Sequence, residues 1–263
     1  MQVRLPGVDG VPLGPSSRDR WLVSPATVDT VRERRLPVPV TVSVGDHELI
    51  LDLGRAALIV VDMQNDFCTP GGWLDHIGVD VGPTRGPIDA INGLTHALRT
   101  LGVPVVWLNW GCRPDRANLS PATLHVYNGD GRGRGIGDPL PGSGGAVLTE
   151  GSWAAAIVDD LDVDPADIRV SKHRMSGFWD TPLDSILRHL DVTTALFGGV
   201  NADQCVLATL MDANFLGYDC VLLEDITATT SPRFCWDATL YNVRQCFGFV
   251  TTGAALIAAA AAG

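Results

Sequence analysis

The stretch Ala57–Phe67, ALIVVDMQNDF, sets five apolar residues in a row and follows them with a carboxylate, Asp62. A run this short, rich in β-branched side chains and lacking polar alternation, reads as a strand buried on both faces. Working outward, the same kind of run recurs at 103–110 (VPVVWLNW), 168–172 (IRVSK), 194–200 (TALFGGV), 220–226 (CVLLEDI) and 246–250 (CFGFV). Helical patterns separate these runs at 85–101, 152–160, 182–190, 203–217 and 233–244, and an alanine-rich helix follows the last run. Strands alternating with helices pair in parallel through right-handed crossovers and are covered on both sides. The expected fold class is α/β, a three-layer α/β/α arrangement around a central parallel sheet of about six strands.

Residues 1–55 do not share this rhythm and are read as an N-terminal arm with a small hairpin; residues 56–263 form the main domain. The arm is rich in Pro, Gly, Ser and charge, with one short helix expected near 24–35 (SPATVDTVRERR). The segment 38–53 (VPVTVSVGDHELILDL) alternates about a Gly-Asp turn, which predicts the hairpin. The stretch 111–147 contains GDGRGRGIGDPLPGSGG, whose glycines fit G-x-G-x-x-G at no offset, so a dinucleotide site is not expected. It reads as a long loop, either a lid or a simple insertion.

A net charge of −11 argues against nucleic acid or an anionic membrane as partner, because both select basic surfaces. No signal-type N-terminus or membrane-length apolar run is visible, so the expectation is a cytoplasmic protein acting on a small molecule. The six cysteines form no C-x-x-C pair and are read as thiols. The six histidines are scattered without metal-binding spacing, and neither metal nor cofactor is expected.

Parallel α/β sheets bind ligands beyond the carboxyl ends of their strands. There the first strand delivers Asp62; IRVSK ends on Lys172, the single lysine among eighteen arginines; and TALFGGV leads to Cys205 at a helix start. A thiol in a first helical turn, near a cation, has a lowered pKa and becomes a nucleophile. The backbone N–H groups of Asn201 and Cys205 suit an oxyanion hole. Each residue also has an ordinary use: Asp62 as a helix cap, Cys205 as a small hydrophobe, Lys172 as a surface charge. Trp73, Trp110, Phe178 and Trp179 are candidate pocket walls, and Gln64 and Asn65 candidate substrate contacts, with core packing and capping as the alternatives. Glu224 and Asp225 suit an amine or a loop contact, and Arg113, Arg116 and Arg134 suit a carboxylate.

Together these stretches resemble the cysteine hydrolases of the isochorismatase-like superfamily, from about Ala57 to Val250. The resemblance rests on ALIVVDMQNDF, TPGGWLD, GSWAAAIVDDL, KHRMSGFWDTPLDSILR, GGVNADQCVLATLMDANFLGYDCVLLED and ATLYNVRQCFGFV. It implies a triad of Cys205 as nucleophile, Asp62 as general base and Lys172 holding both ionised, with a cis peptide at Val200–Asn201. It also implies a homodimer or homotetramer and an amidohydrolase activity; GSW, SGFWDTPLDSILR and LEDITATTSP look most like ureidoacrylate amidohydrolases. Two departures stand out. Many relatives have Thr where this chain has Asn201 or Ala202, and NWGCRPDRAN lacks the histidines of the metal-dependent branch. An isochorismatase-type vinyl-ether hydrolase, or a non-catalytic protein on the same fold, is the alternative reading.

Overall fold

The computed structural model describes residues 10–14, 19–32, 36–142 and 145–262. The arm supplies strands β1 (Val11–Leu13), β2 (Trp21–Val23) and β3 (Val28–Asp29) in a small antiparallel sheet. The helix expected near 24–35 is not formed: β3 lies within that stretch, and residues 33–35 fall outside the described residues. Ser24 Oγ accepts from Thr27 N at 3.0 Å, a local turn that reverses the chain into β3 instead of starting a helix. Strands β4 (Pro39–Val44) and β5 (His47–Asp52) form the expected hairpin around Gly45, whose φ of +60° suits a tight turn. Val40, Val42 and Leu51 turn inward from it.

The main sheet contains β6 (Ala56–Val61), β7 (Val105–Trp110), β8 (Ile168–Lys172), β9 (Thr194–Gly199), β10 (Asp219–Thr227) and β11 (Phe249–Thr251). Its order is β11-β10-β9-β6-β7-β8, and every pairing is parallel. All residues of β6 and β9 are buried, as a centre covered on both faces requires.

Short helices α1 (Asn65–Cys68), α2 (Trp73–His76) and α3 (Gly82–Arg85) lead into the long α4 (Ile88–Thr100). Helix α4 buries Ile88, Ile91, Leu94, Thr95 and Leu98, spaced at three and four residues, and ends where Gly102 turns at φ +69°. A short α5 (Pro121–Leu124) lies in the long loop, followed by α6 (Leu183–His189), α7 (Leu207–Phe215), α8 (Arg233–Asn242) and α9 (Gly253–Ala262). Helices α4 and α9 pack on each other and both reach β10, while α7 packs on β9 and β10. Asp225 closes the start of α9, its two carboxylate oxygens accepting from Gly253 N at 2.6 Å and Ala254 N at 3.0 Å. Glu224 faces Arg244 at 3.8 Å. These two acids therefore serve the fold.

No helix forms at 152–160, where one was expected. Its carbonyls are taken elsewhere: Trp153 O by Asn65 Nδ2, Ala154 O by Asp66 N, Ala155 O by Gln64 Nε2 and Ala156 O by Asn65 N. In this segment, hydrogen bonds to the distant residues 64–66 take the place of a helical ladder. Among the described residues no helix is long and apolar enough to cross a membrane.

Candidate active site

The strand order reverses between β6 and β9, the kind of switch point beside which parallel α/β sheets place their ligands. Asp62 directly follows β6, in a left-handed backbone (φ 52°) that a non-glycine residue holds at a cost of about 1–2 kcal/mol. Lys172 ends β8, two strands away. At roughly 4.8 Å between neighbouring strands, a side chain from β8 must cross the end of β7 to reach Asp62. The four-carbon lysine stem makes that crossing, and Nζ ends 2.8 Å from Asp62 Oδ2. On the way it lies 4.4 Å from the ring centroid of Trp110, its register partner on β7, and it donates to Arg174 O at 3.1 Å. Lys172 is fully buried and Asp62 is 1% exposed, so the pair is screened from water.

Strand β9 ends in two glycines because neighbouring chain leaves no room for a side chain. A Cβ on Gly198 would lie 2.3 Å from Ile226 Cδ1, and one on Gly199, at φ +104°, would lie 2.1 Å from Val61 O. The Val200–Asn201 peptide that follows is cis. One π-helical turn, Ala202–Val206, then runs into α7, which puts Cys205 in the first turn. Asn201 does not cap this turn with its side chain; Oδ1 accepts from Thr230 N at 3.0 Å and ties the turn to the loop after β10. The Asn201 N–H makes no backbone hydrogen bond among the described residues. Cys205 Sγ accepts from Trp110 Nε1 at 3.4 Å and donates to Met175 Sδ at 3.6 Å, and it is near enough to the Asp62 carboxyl for each to influence the other's pKa. The other carboxylate oxygen of Asp62, Oδ1, accepts from Trp110 N at 3.1 Å.

The charge states differ from the sequence reading. Burial pushes the Cys205 thiol up to about 12, and the nearby ammonium of Lys172 offsets only part of this. The buried thiols of Cys68, Cys112 and Cys220 are also pushed up to about 12. Burial thus raises all four of these thiols, and its partners set Cys205 apart from the others. Cys205 is 5% exposed, and desolvation is the largest influence on its thiol. Burial also raises the Asp62 carboxyl, with Lys172, Cys205 and Trp110 N pulling the other way. A raised carboxyl is a stronger base, so the pair favours moving the proton as the sulfur reacts over storing a thiolate.

The remaining expected contacts divide. Trp110 touches the sulfur. Trp73 is buried, its indole donating to Arg134 O at 2.8 Å, and among the described residues its ring contacts are with Phe67 and Tyr127, not with the three reactive side chains. Gln64 and Asn65 are not free for a substrate. Gln64 donates to Trp110 O and Ala155 O and accepts from Trp110 N; Asn65 donates to Trp153 O and accepts from Thr69 Oγ1. Both fix backbone around the site. Phe178 and Trp179 are not brought to the sulfur: Phe178 packs on Tyr218, and Trp179 is 61% exposed with its indole on Asp212. Arg113 pairs with Asp115, and Arg116 with Asp138, within the long loop.

Two residues at the site escaped the sequence reading. Met175 contacts the sulfur from the loop after β8. Tyr127 comes from the long loop, donates to Gln204 Oε1 at 2.8 Å and stands edge-on to Trp73 at 5.6 Å, so this loop reaches the turn that carries Cys205. An isolated aromatic in a polar loop was the only available signal. A cleft of about 610 Å³, bordered by Asn109, Trp110, Glu150, Asp159, Asp162 and Ser171, shares Trp110 with the site, but none of the three reactive side chains lines it. Among the described residues no group of three His, Cys, Asp or Glu side chains is placed to hold a metal.

An ammonium, a carboxylate and a thiol thus come together at a topological switch point. Residues 56–255 match the isochorismatase domain. Among solved structures, a cysteine hydrolase from Pseudomonas syringae pv. phaseolicola 1448A is 26% identical over 81% of this chain and 95% of its own, with a TM-score of 0.68. An isochorismatase family protein from Desulfovibrio vulgaris subsp. vulgaris str. Hildenborough is 26% identical over 77% and 96%, with a TM-score of 0.63. The N-carbamoylsarcosine amidase of Thermoplasma acidophilum is 24% identical over 76% and 96%, with a TM-score of 0.56.

Proposed function

The chain belongs to the isochorismatase family of hydrolases, and from that premise we propose that it is a cysteine-dependent amidohydrolase, cleaving a C–N bond of a small amide, ureide or lactam through a thioester. The observation that carries this reading is the 2.8 Å Asp62–Lys172 pair with the Cys205 thiol close enough to interact with the same carboxyl. A vinyl-ether hydrolysis has no use for a thiol held against a base.

In the proposed reaction Asp62 takes the thiol proton while Sγ attacks the carbonyl carbon. The N–H groups of Asn201 and Cys205 are assigned to the oxyanion that forms. As the C–N bond breaks, Asp62 returns the proton to the leaving nitrogen. Water then gives its proton to Asp62 and attacks the thioester, and the C–S bond breaks to release the acid and restore the thiol. Lys172 keeps the buried carboxyl from becoming a neutral acid that cannot accept a proton. Trp73, Tyr127 and Met175 suit a small, flat, uncharged substrate.

Ammonia or amine release across ureides, carboxamides and lactams tests the reading, with Cys205→Ser as control. The expected result is turnover of one class, lost by at least about a thousandfold in the control, and a Cys205-linked acyl group seen by mass spectrometry. Turnover that survives Cys205→Ser refutes the thioester; hydrolysis of an enol ether with none of an amide supports the vinyl-ether alternative.

A further inference from the structure

We propose that Trp110 is a fourth catalytic residue, whose indole N–H carries part of the negative charge that develops on the Cys205 sulfur. This rests on the acyl-transfer reading above and goes beyond a triad of side chains. The sequence reading gave Trp110 only as a candidate wall of the pocket.

One residue touches all three reactive groups. The Trp110 backbone N–H reaches Asp62 Oδ1 at 3.1 Å, its ring receives Lys172 Nζ at 4.4 Å from the centroid, and Nε1 points at Cys205 Sγ at 3.4 Å. The sulfur has another close neighbour, Met175 Sδ, but a thioether has no proton to donate and cannot stabilise an anion this way. Lys172 is committed to Asp62 and Arg174 O. Among the described residues, the indole is the only N–H recorded as donating to this sulfur.

The donor is also held in place. Gln64 clasps the Trp110 backbone from both sides, accepting from its N–H and donating to its carbonyl, each at 2.8 Å. Trp110 is 3% exposed, so its N–H meets the sulfur out of water, where a charge-assisted bond is strongest. A donor fixed before the reaction needs no reorganisation when charge appears. It would act twice. In acylation the proton passes from Sγ to Asp62 as the C–S bond forms; in deacylation the C–S bond breaks, the sulfur leaves as an anion and Asp62 returns its proton. The indole keeps its own proton in both steps. The titratable or charged groups facing the sulfur are Asp62 after β6, Lys172 on β8 and Tyr127 from the long loop.

The test uses Trp110→Phe, which keeps an aromatic ring, and a second variant carrying benzothienylalanine at 110, which keeps the bicyclic shape and replaces only N–H by sulfur. The first readout, iodoacetamide alkylation of Cys205 at a fixed mildly alkaline pH, needs no substrate. Loss of the donor is expected to lower thiolate content about ten- to a hundredfold, the range of a bond to an ionised acceptor. The greater nucleophilicity of a more basic thiolate offsets part of this, leaving alkylation about three- to tenfold slower. The second readout is turnover, with kcat expected to fall about ten- to a hundredfold and KM to move less than about twofold. A residue that is merely a wall would raise KM and leave alkylation unchanged or faster. That result in both variants overturns the inference. A wild-type protein whose turnover survives Cys205→Ser overturns the acyl-transfer reading instead.

Discussion

Replacing Lys172 with methionine keeps the length of the side chain and removes its charge, leaving Asp62 ionised and alone in the core. At 2.8 Å, in an effective dielectric of roughly 20, the lost attraction is about 6 kcal/mol. Both partners were already desolvated, and part of that attraction offset the desolvation; the expected net loss is about 3–5 kcal/mol. The pH dependence carries the sign. Burial already raises the Asp62 carboxyl, and Lys172 supplies the two largest influences holding it down. Without them the folded pKa rises further above the unfolded value. Stability linked to such a group is present below the unfolded pKa and lost as pH rises through the folded one. The variant should therefore lie close to wild type near about pH 4.5 and show its full deficit near about pH 8 in denaturant titrations. A second change, Asp62→Asn, removes the stranded charge and should recover most of the loss in the double variant. A deficit below about 1 kcal/mol at both pH values, or a double variant no better than Lys172→Met, would refute the account of a buried, mutually dependent pair.

Asp66 is buried, with Trp73 N and Leu148 N donating to its two oxygens, and its carboxyl is raised to about 6. Wild-type stability should fall as pH climbs from about 4 to about 6, so its lead over Asp66→Asn narrows by about 3 kcal/mol across that window, measured by urea unfolding. Gly199→Ala forces a Cβ to 2.1 Å from Val61 O, and soluble yield and thermal midpoint should show a loss above about 3 kcal/mol or no fold at all. Trp179→Ala should change stability by less than about 1 kcal/mol and leave KM within about twofold; a large rise in KM would return Trp179 to the pocket. Tyr127→Phe removes the bond to Gln204 and should raise KM several-fold with little change in thermal midpoint, as measured by steady-state kinetics and scanning calorimetry.

The layers of this fold were legible because strands at the centre of a parallel sheet have no solvent face, so ALIVV and TALFGG carry no polar alternation. The ends of those strands named Asp62, Lys172 and Cys205. Their meeting depended on strand order and register, such as Trp110 opposite Lys172, which no local pattern encodes. The segment 152–160 misled because helix propensity is local, whereas its carbonyls bond to Gln64, Asn65 and Asp66 nearly ninety residues earlier. Gln64 and Asn65 looked like substrate contacts for the same reason: a polar side chain after a strand does not announce which backbone it will clasp. The expected acidity of Cys205 came from its position in a helical turn, which is readable, whereas the depth of burial that raises its pKa is not.

The hairpin of β4 and β5 lies ahead of residue 56, where the family match begins, yet Ser43 O accepts from Thr251 Oγ1 at 3.0 Å and β4 packs on β11 and α9. Strand β11 is the last strand of the main sheet on that side, and an open strand border invites pairing with other molecules. A chain trimmed to the matched boundary would therefore bare that border and the flank of an alanine-rich helix at once. Its first symptom should be self-association on storage, well before any failure of chemistry.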